Sequence, residues 1–232
     1  MTIQERFAHW KKTEAEKLRP MNAKQRAGYI LHYYRFWIFG LLVLLAVGFY
    51  IGDAVVQSQK EILLQGFFTN DAYGLFPAEK IEKDYAATQN LTKRQRIVFD
   101  DALYIDLGGD ASEYTAASNG KLVAYTMTHE LDFVVTSDEV LAYYKDNMPM
   151  KDLREILPAD LQQQLGGALY TATDSEGKPS CLAVDMTGSR FVAGTGADAD
   201  PRVEHTYYLF VPESAPHTEQ IVSFLRYAFR LE

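Results

Sequence analysis

The pattern of apolar and polar positions changes character near residue 60. From Phe36 to Ile51 the run FWIFGLLVLLAVGFYI carries no charge, and Ala54, Val55 and Val56 extend it past a single Asp53. About twenty apolar residues rising ~1.5 Å each match a hydrocarbon core of ~30 Å, so residues 36–57 predict one membrane-spanning helix. The stretch has no polar face, which argues against a surface helix of a soluble domain. Gly40, Gly48 and Gly52 suit a membrane helix, where small residues permit close contact, and the four-residue spacing of Gly48 and Gly52 marks a candidate partner face.

Upstream, Gln4 to Leu18 is rich in Ala, Glu and Lys and predicts a helix that Pro20 stops. Asn22 is placed to cap a second helix running through Tyr29, Ile30 and Tyr33 into the apolar stretch. Downstream, past the polar hinge 57–60, short apolar runs alternate with helical periods. Strands are expected over Ile62–Phe68, Arg96–Leu107, Phe133–Thr136, Ala168–Ala172, Cys181–Met186 and Tyr207–Val211, the fourth and fifth joined as a hairpin by a turn over 174–177. Helices are expected from Pro77 through Tyr85, over Asp110–His129 with a break or kink at Asn119 and Gly120, over Asp138–Tyr144 with Ser137 as its cap, around Asp152–Ile156 and Pro158–Leu165, and over Thr218–Phe229. The last carries Ile221, Val222, Leu225 and Phe229 on one face. Such alternation predicts an α/β domain over residues 60–232, a mixed sheet flanked by helices.

Charge divides at the apolar segment. Residues 1–35 hold eight Lys or Arg and three acids, a net of +5, whereas residues 36–232 hold 15 bases and 28 acids, a net of −13. The acidic remainder would repel phosphate backbones, which argues against nucleic acid as a partner. The bases lie just upstream of the span, and the positive-inside rule then places the N-terminus in the cytoplasm and the C-terminal domain outside the cell membrane. Tyr33, Tyr34, Arg35 and Trp37 at one edge, with Phe49 and Tyr50 at the other, read as interfacial anchors. A cleavable signal peptide would need a charged region some 35 residues long, and no small-x-small site follows the apolar core, so an uncleaved single-pass anchor is expected. The basic arm either sets topology against anionic headgroups or docks on a membrane partner.

Candidate chemistry is sparse. Cys181 is the sole cysteine, which excludes an intramolecular disulfide and a Cys-based zinc site. Asp100, Asp101, Asp106 and Asp110 either form a solvated edge or gather a cation. His129 beside Glu130 lacks the second His of a metalloprotease motif, Gly194-Thr195-Gly196 with Asp198 and Asp200 lacks the Lys of a phosphate loop, and no GxSxG elbow is present. No enzyme, metal or cofactor is expected. Ser137, Asp138, Tyr143 and Tyr144 are the best ligand-site candidates: a helix N-terminus offers free amides and aromatics offer stacking surfaces, although either tyrosine could equally serve the core.

The run Glu130-Leu131-Asp132-Phe133-Val134-Val135-Thr136-Ser137-Asp138, with Tyr143-Tyr144, Met150-Lys151-Asp152-Leu153-Arg154 and Leu157-Pro158-Ala159-Asp160-Leu161, resembles the type 2 extracellular solute-binding proteins of ABC importers. So does the ending, Tyr207-Tyr208-Leu209-Phe210-Val211-Pro212 followed by a helix containing Phe224-Leu225-Arg226-Tyr227. The chain is also similar to a group of membrane-anchored proteins of Gram-positive gut bacteria. The resemblance covers about two-thirds of the outer domain. It implies a solute-binding-protein-like lobe whose strand ending at Ser137 lies near a cleft. Members of that family carry two lobes and a lipobox cysteine, whereas this sequence offers room for one lobe and a helical anchor. The expected role is therefore an accessory or recognition subunit of a membrane transporter of the ABC class, or else a stand-alone tethered ligand-binding or sensory protein for a small solute or peptide.

Overall fold

The computed structural model describes residues 3–108, 112–173, 177–197, 200 and 206–231. They fall into two compact units, Met1–Gln59 and Lys60–Glu232.

The first unit comprises α1 (Ile3–Leu18), α2 (Ala23–Tyr33) and α3 (Arg35–Ser58). Asn22 caps α2 as expected: its Oδ1 accepts from the Gln25 N–H at 2.9 Å while Gln25 Oε1 accepts from the Asn22 N–H at 3.0 Å, a reciprocal capping box. The second helix does not run on into the apolar stretch. It stops at Tyr33, and Tyr34 (φ −104°, ψ 10°) leaves helical geometry before α3 begins. Aromatic packing accompanies the break: Tyr29 stacks on Tyr33 at 5.6 Å and Trp10 of α1 meets Tyr34 edge-on at 6.5 Å. Glu14 accepts hydrogen bonds from Lys17 and the Tyr29 hydroxyl, tying the same helices together. α3 is 24 residues long with mean hydropathy 2.2 over its most apolar window, long and apolar enough to cross a membrane, and none of its residues is buried.

The second unit is α/β. One six-stranded mixed sheet, in the order β2-β1-β3-β6-β5-β4, is built from β1 (Glu61–Thr69), β2 (Gln95–Leu103), β3 (Phe133–Ser137), β4 (Leu169–Thr173), β5 (Pro179–Asp185) and β6 (Tyr207–Phe210). β1 runs parallel to both β2 and β3, whereas β6 is antiparallel to β3 and β5, and β4 to β5. The helices are α4 (Ala78–Ala86), α5 (Glu113–Met127), α6 (Asp138–Asn147), α7 (Leu153–Ile156), α8 (Ala159–Leu165) and α9 (Thr218–Phe229). The crossover β1-α4-β2 moves outward and β2-α5-β3 moves back past β1. Because parallel crossovers are right-handed, opposite directions place α4 and α5 on opposite faces of the sheet.

Alternation along the strands supplies both cores. On one face Leu64, Phe68, Phe133 and Val135 join Ile81, Tyr85, Phe224 and Leu225 from α4 and α9. On the other, Phe67, Val134 and Phe210 join Leu122 of α5 and Val140, Leu141 and Tyr144 of α6. Phe133 is the hub of the first core, stacked on Phe224 at 4.6 Å and edge-on to Phe99 at 5.6 Å and Phe68 at 6.0 Å. The Phe133 ring also covers Gly66, its partner in register on β1, so that a Cβ at residue 66 would collide with it. Glycine there is a packing requirement.

Within the second unit the structure also departs from the expected elements at several points. The second strand ends at Leu103, and residues 104–107 leave the sheet. α5 is continuous through Asn119 and Gly120, where a break or kink was expected, so the helix is not broken there. The Asn119 side chain accepts a hydrogen bond from the Tyr144 hydroxyl at 3.0 Å, a tertiary contact that offsets part of the weak helix propensity of the pair. Ser137 occupies the cap position of α6 but makes no capping hydrogen bond. Positions 174–176 of the expected hairpin turn lie outside the described residues, although β4 and β5 pair as a hairpin would require.

Candidate functional site

The direction of winding reverses between the parallel neighbours β1 and β3, since the outward crossover β1-α4-β2 and the return crossover β2-α5-β3 lie on opposite faces of the sheet. In open α/β sheets the crevice outside the carboxyl ends of such strands is where ligands bind. Thr69 ends β1 and Ser137 ends β3, and Asp138 opens α6 there, its N–H bonded to the Thr206 carbonyl at 3.0 Å. The sequence candidates Ser137 and Asp138 are thus at the switch point, with Tyr207 of β6 opposite Ser137 in register.

The hydrogen-bonding groups at this point are turned inward. Thr69 and Thr136 hydroxyls bond to one another at 2.7 Å. The Tyr207 hydroxyl donates to the Asn70 carbonyl at 3.1 Å, and burial, aided by the Asp71 and Tyr73 charges, holds its pKa well above the ordinary phenol value. Asn70, in the left-handed region at φ 57°, exchanges hydrogen bonds between its amide side chain and the Ile105 backbone. Both Asp71 oxygens are taken by the N–H groups of Leu75 and Phe76. The Asn70 and Asp71 side chains at the switch point thus hydrogen-bond the backbone of the loop leading to α4 and of the segment after β2.

Tyr143 and Tyr144 follow Asp138 by five and six residues, roughly 8–9 Å along the helix axis. Tyr144 is 5% exposed, tilted against Phe210 at 6.1 Å, and its hydroxyl is satisfied by Asn119; burial raises its pKa to about 12. It is a core residue. Tyr143 is 47% exposed on the outer side of α6, so the structure keeps the two tyrosines apart in environment and joins neither to Ser137.

Sequence reasoning missed a buried aspartate paired with a half-buried histidine. Asp132, fully buried, accepts from the Gln65 N–H at 2.7 Å and the His217 N–H at 3.0 Å, and His217 Nδ1 lies 3.1 Å from both of its oxygens. Burial pushes the Asp132 carboxyl up, opposed by the hydrogen bonds from Gln65 and His217. The partners are 85 residues apart in sequence, so no local spacing could have signalled them. Asp132 joins β1, β3 and the start of α9. The nearby Ser214 hydroxyl is engaged elsewhere, donating to the Thr126 carbonyl at 2.8 Å.

No family model matches the chain, and neither the curated proteins nor the solved structures offer a match.

The remaining candidates are dispersed. Asp100 pairs with Lys121; burial raises its carboxyl pKa, but Lys121 and the Ala102 N–H outweigh this and leave it lowered. Asp101 accepts from the Ala78 N–H at the start of α4, Asp106 closes a turn onto Gly108, and Asp110 lies outside the described residues, as does Asp198. Among the described residues no three His, Cys, Asp or Glu side chains are grouped to hold a metal ion. His129 terminates α5 at φ 58°, and Gly194 and Gly196 turn a loop at positive φ. Cys181 is buried with its thiol pushed up to about 11, which leaves it a poor nucleophile at neutral pH.

Of the anchor residues, Trp37 is 79% exposed and Tyr33 and Arg35 are exposed, while Tyr34 is half-buried against Trp10. Gly48 and Gly52 have nothing within 4 Å of where a side chain would begin. Two cavities of the second unit lie in its helical layers: one of about 420 Å³ between the Met148–Glu155 segment and β5, and one of about 470 Å³ between α4 and α9.

Proposed function

We propose that this chain is a non-enzymatic accessory or recognition subunit of a membrane transporter, single-pass, with its N-terminus cytoplasmic and its α/β domain on the outer side. The observation that carries the reading is α3, whose 24 residues include none that is buried. An apolar helix of this length left uncovered by its own chain needs lipid or another membrane protein around it. The eight bases before it and the scarcity of bases just after it support the orientation.

The second unit supports the recognition part of the proposal. It has one sheet flanked by helices, in keeping with a single solute-binding-protein-like lobe, and the resemblance to ABC importers nominates that transporter class. A cleft needs two walls, so a lone lobe would take its second wall from a partner. The exposed Gly48 and Gly52 give α3 a face on which a neighbouring helix could pack closely. Purification of the native protein in mild detergent is the test. The expected result is co-elution with a multi-span transporter, and elution alone contradicts the proposal.

A second reading, a stand-alone tethered ligand-binding or sensory protein, is favoured by the 470 Å³ cavity between α4 and α9, a volume suited to a small molecule. It predicts a rise in melting temperature of the full chain with one class of small ligand, and no rise across a panel of sugars, peptides and organic anions contradicts it.

A further inference from the structure

We infer that the cavity between α4 and α9 is a binding site for a small organic anion with a flat apolar body, of the aryl phosphate class. The inference deepens the ligand-binding reading above and does not depend on the transporter reading.

Three cations line this cavity, Lys80 of α4, Arg190 of the segment after β5, and Arg230 at the end of α9, against one carboxylate, Asp84. That balance is the reverse of residues 60–232 as a whole, where acids outnumber bases almost two to one. Among the described residues none of the three cations is joined to a carboxylate, although Lys121, Arg154 and Arg226 elsewhere in the domain all are. Concentrating unpaired positive charge in one concavity costs stability through mutual repulsion, and an incoming anion would relieve it.

The cavity walls also provide an apolar, aromatic surface. Phe191 and Tyr227 line it, 6.2 Å apart, with Ile81 behind them. The Arg190 guanidinium lies over the Tyr227 ring, 4.1 Å from its centroid, and the Arg190 N–H is anchored to the Ala228 carbonyl at 2.8 Å. A guanidinium held over a ring loses little further freedom when it binds, and it keeps N–H donors for a charge-assisted contact with a tetrahedral or planar anion. Stacking on Phe191 or Tyr227 would take the ligand's flat body.

Arg230 gives an independent observation. It ends α9 in the left-handed region at φ 56°, a position where glycine is the usual residue. A long charged side chain kept there carries a backbone cost that Gly would remove. Its place on the cavity wall supplies the reason for that cost.

The test is calorimetric titration of the full chain in detergent with phenyl phosphate, with inorganic phosphate and phenol as the two half-ligands. Phenyl phosphate is expected to bind more tightly than either, and more weakly as salt rises. Arg190→Gln should weaken it about tenfold or more, as loss of a charge-assisted contact does. Arg230→Gly should weaken it while raising the melting temperature, a pair of opposite effects that misfolding cannot produce. Asp84→Asn should tighten it. Absence of phenyl phosphate binding at millimolar concentration, equal binding of inorganic phosphate, or unchanged binding by both arginine variants overturns the assignment. None of those results would bear on co-purification with a transporter, or on thermal shifts by uncharged sugars.

Discussion

The two units use apolar side chains in opposite ways. In α3, Phe36, Trp37, Phe39, Leu44, Phe49 and Tyr50 are all exposed, whereas α9, half as long, buries Ile221, Phe224, Leu225 and Ala228 against the sheet. Glycine repeats the contrast, since Gly66 is pressed against the Phe133 ring while Gly48 and Gly52 face open space. Local composition does not decide between these outcomes; the polar partner face does. α9 interleaves Glu219, Gln220, Ser223 and Arg226 with its apolar residues and so has one side for water, and α3 has none. One unit has a core of its own, and the other has an apolar surface that asks for a different solvent.

Five substitutions sharpen this contrast, in decreasing order of effect. Phe133→Ala should destabilise the domain by about 3–5 kcal/mol, because it empties the centre of an aromatic cluster. A chemical denaturation curve of the full chain in detergent, followed by tyrosine fluorescence, measures it. Leu44→Arg, at the middle of α3, should cost about 2.5–3.5 kcal/mol of membrane insertion and leave the domain's melting temperature unchanged. A fall in that temperature would mean that α3 is part of a soluble core. Gly66→Ala should cost about 1–3 kcal/mol through overpacking against Phe133, while Gly48→Ala and Gly52→Ala should change stability by less than about 0.5 kcal/mol.

A further effect, smaller than those of Phe133→Ala and Leu44→Arg, is electrostatic and confined to the second unit. Asp152 caps α7, accepts from the N–H groups of Arg154 and Cys181, and pairs with the Arg154 guanidinium, which in turn donates to the Pro179 carbonyl. The Arg154 hydrogen bond foremost holds the Asp152 carboxyl below its ordinary value despite its partial burial. A depressed folded-state pKa stabilises above the unfolded value of about 3.9 and is lost as pH falls through the folded value. Asp152→Asn should therefore cost about 1 kcal/mol near neutrality, and its melting temperature should converge with that of the parent as pH drops below about 4. Curves that stay parallel in acid would contradict the assignment.

Much of this fold was legible in the sequence because its signals are local. The strands β1, β3, β4, β5 and β6 and the helices α4, α7, α8 and α9 follow apolar periodicity and stop residues within one or two positions, and α6 runs three residues past its expected end at Tyr144. Pro20 and Asn22 bounded the first two helices for the same reason. The failures are non-local. Where α5 continues through Gly120, Tyr144 reaches back 25 residues to Asn119, and the interruption at Tyr34 is packed against Trp10 on another helix.

The candidate sites divide in the same manner. Ser137 and Asp138 were placed at a strand end by the switch from strand to helix period, and the topology made that end a switch point. Asp132 with His217, and Arg190 with Tyr227, join segments that no spacing rule connects. Tyr143 and Tyr144 looked alike as neighbours, and only the sheet's second core separates an exposed ring from a buried one.

The central claim is that α3 tethers an outward-facing domain to a membrane. Its most direct test is alkaline carbonate extraction combined with protease treatment of spheroplasts, using antibodies to the two termini. The account predicts that the full chain stays in the membrane pellet and that external protease removes the C-terminal epitope while sparing the N-terminal one. Release by carbonate, or protection of the C-terminal epitope until the membrane is lysed, would contradict it.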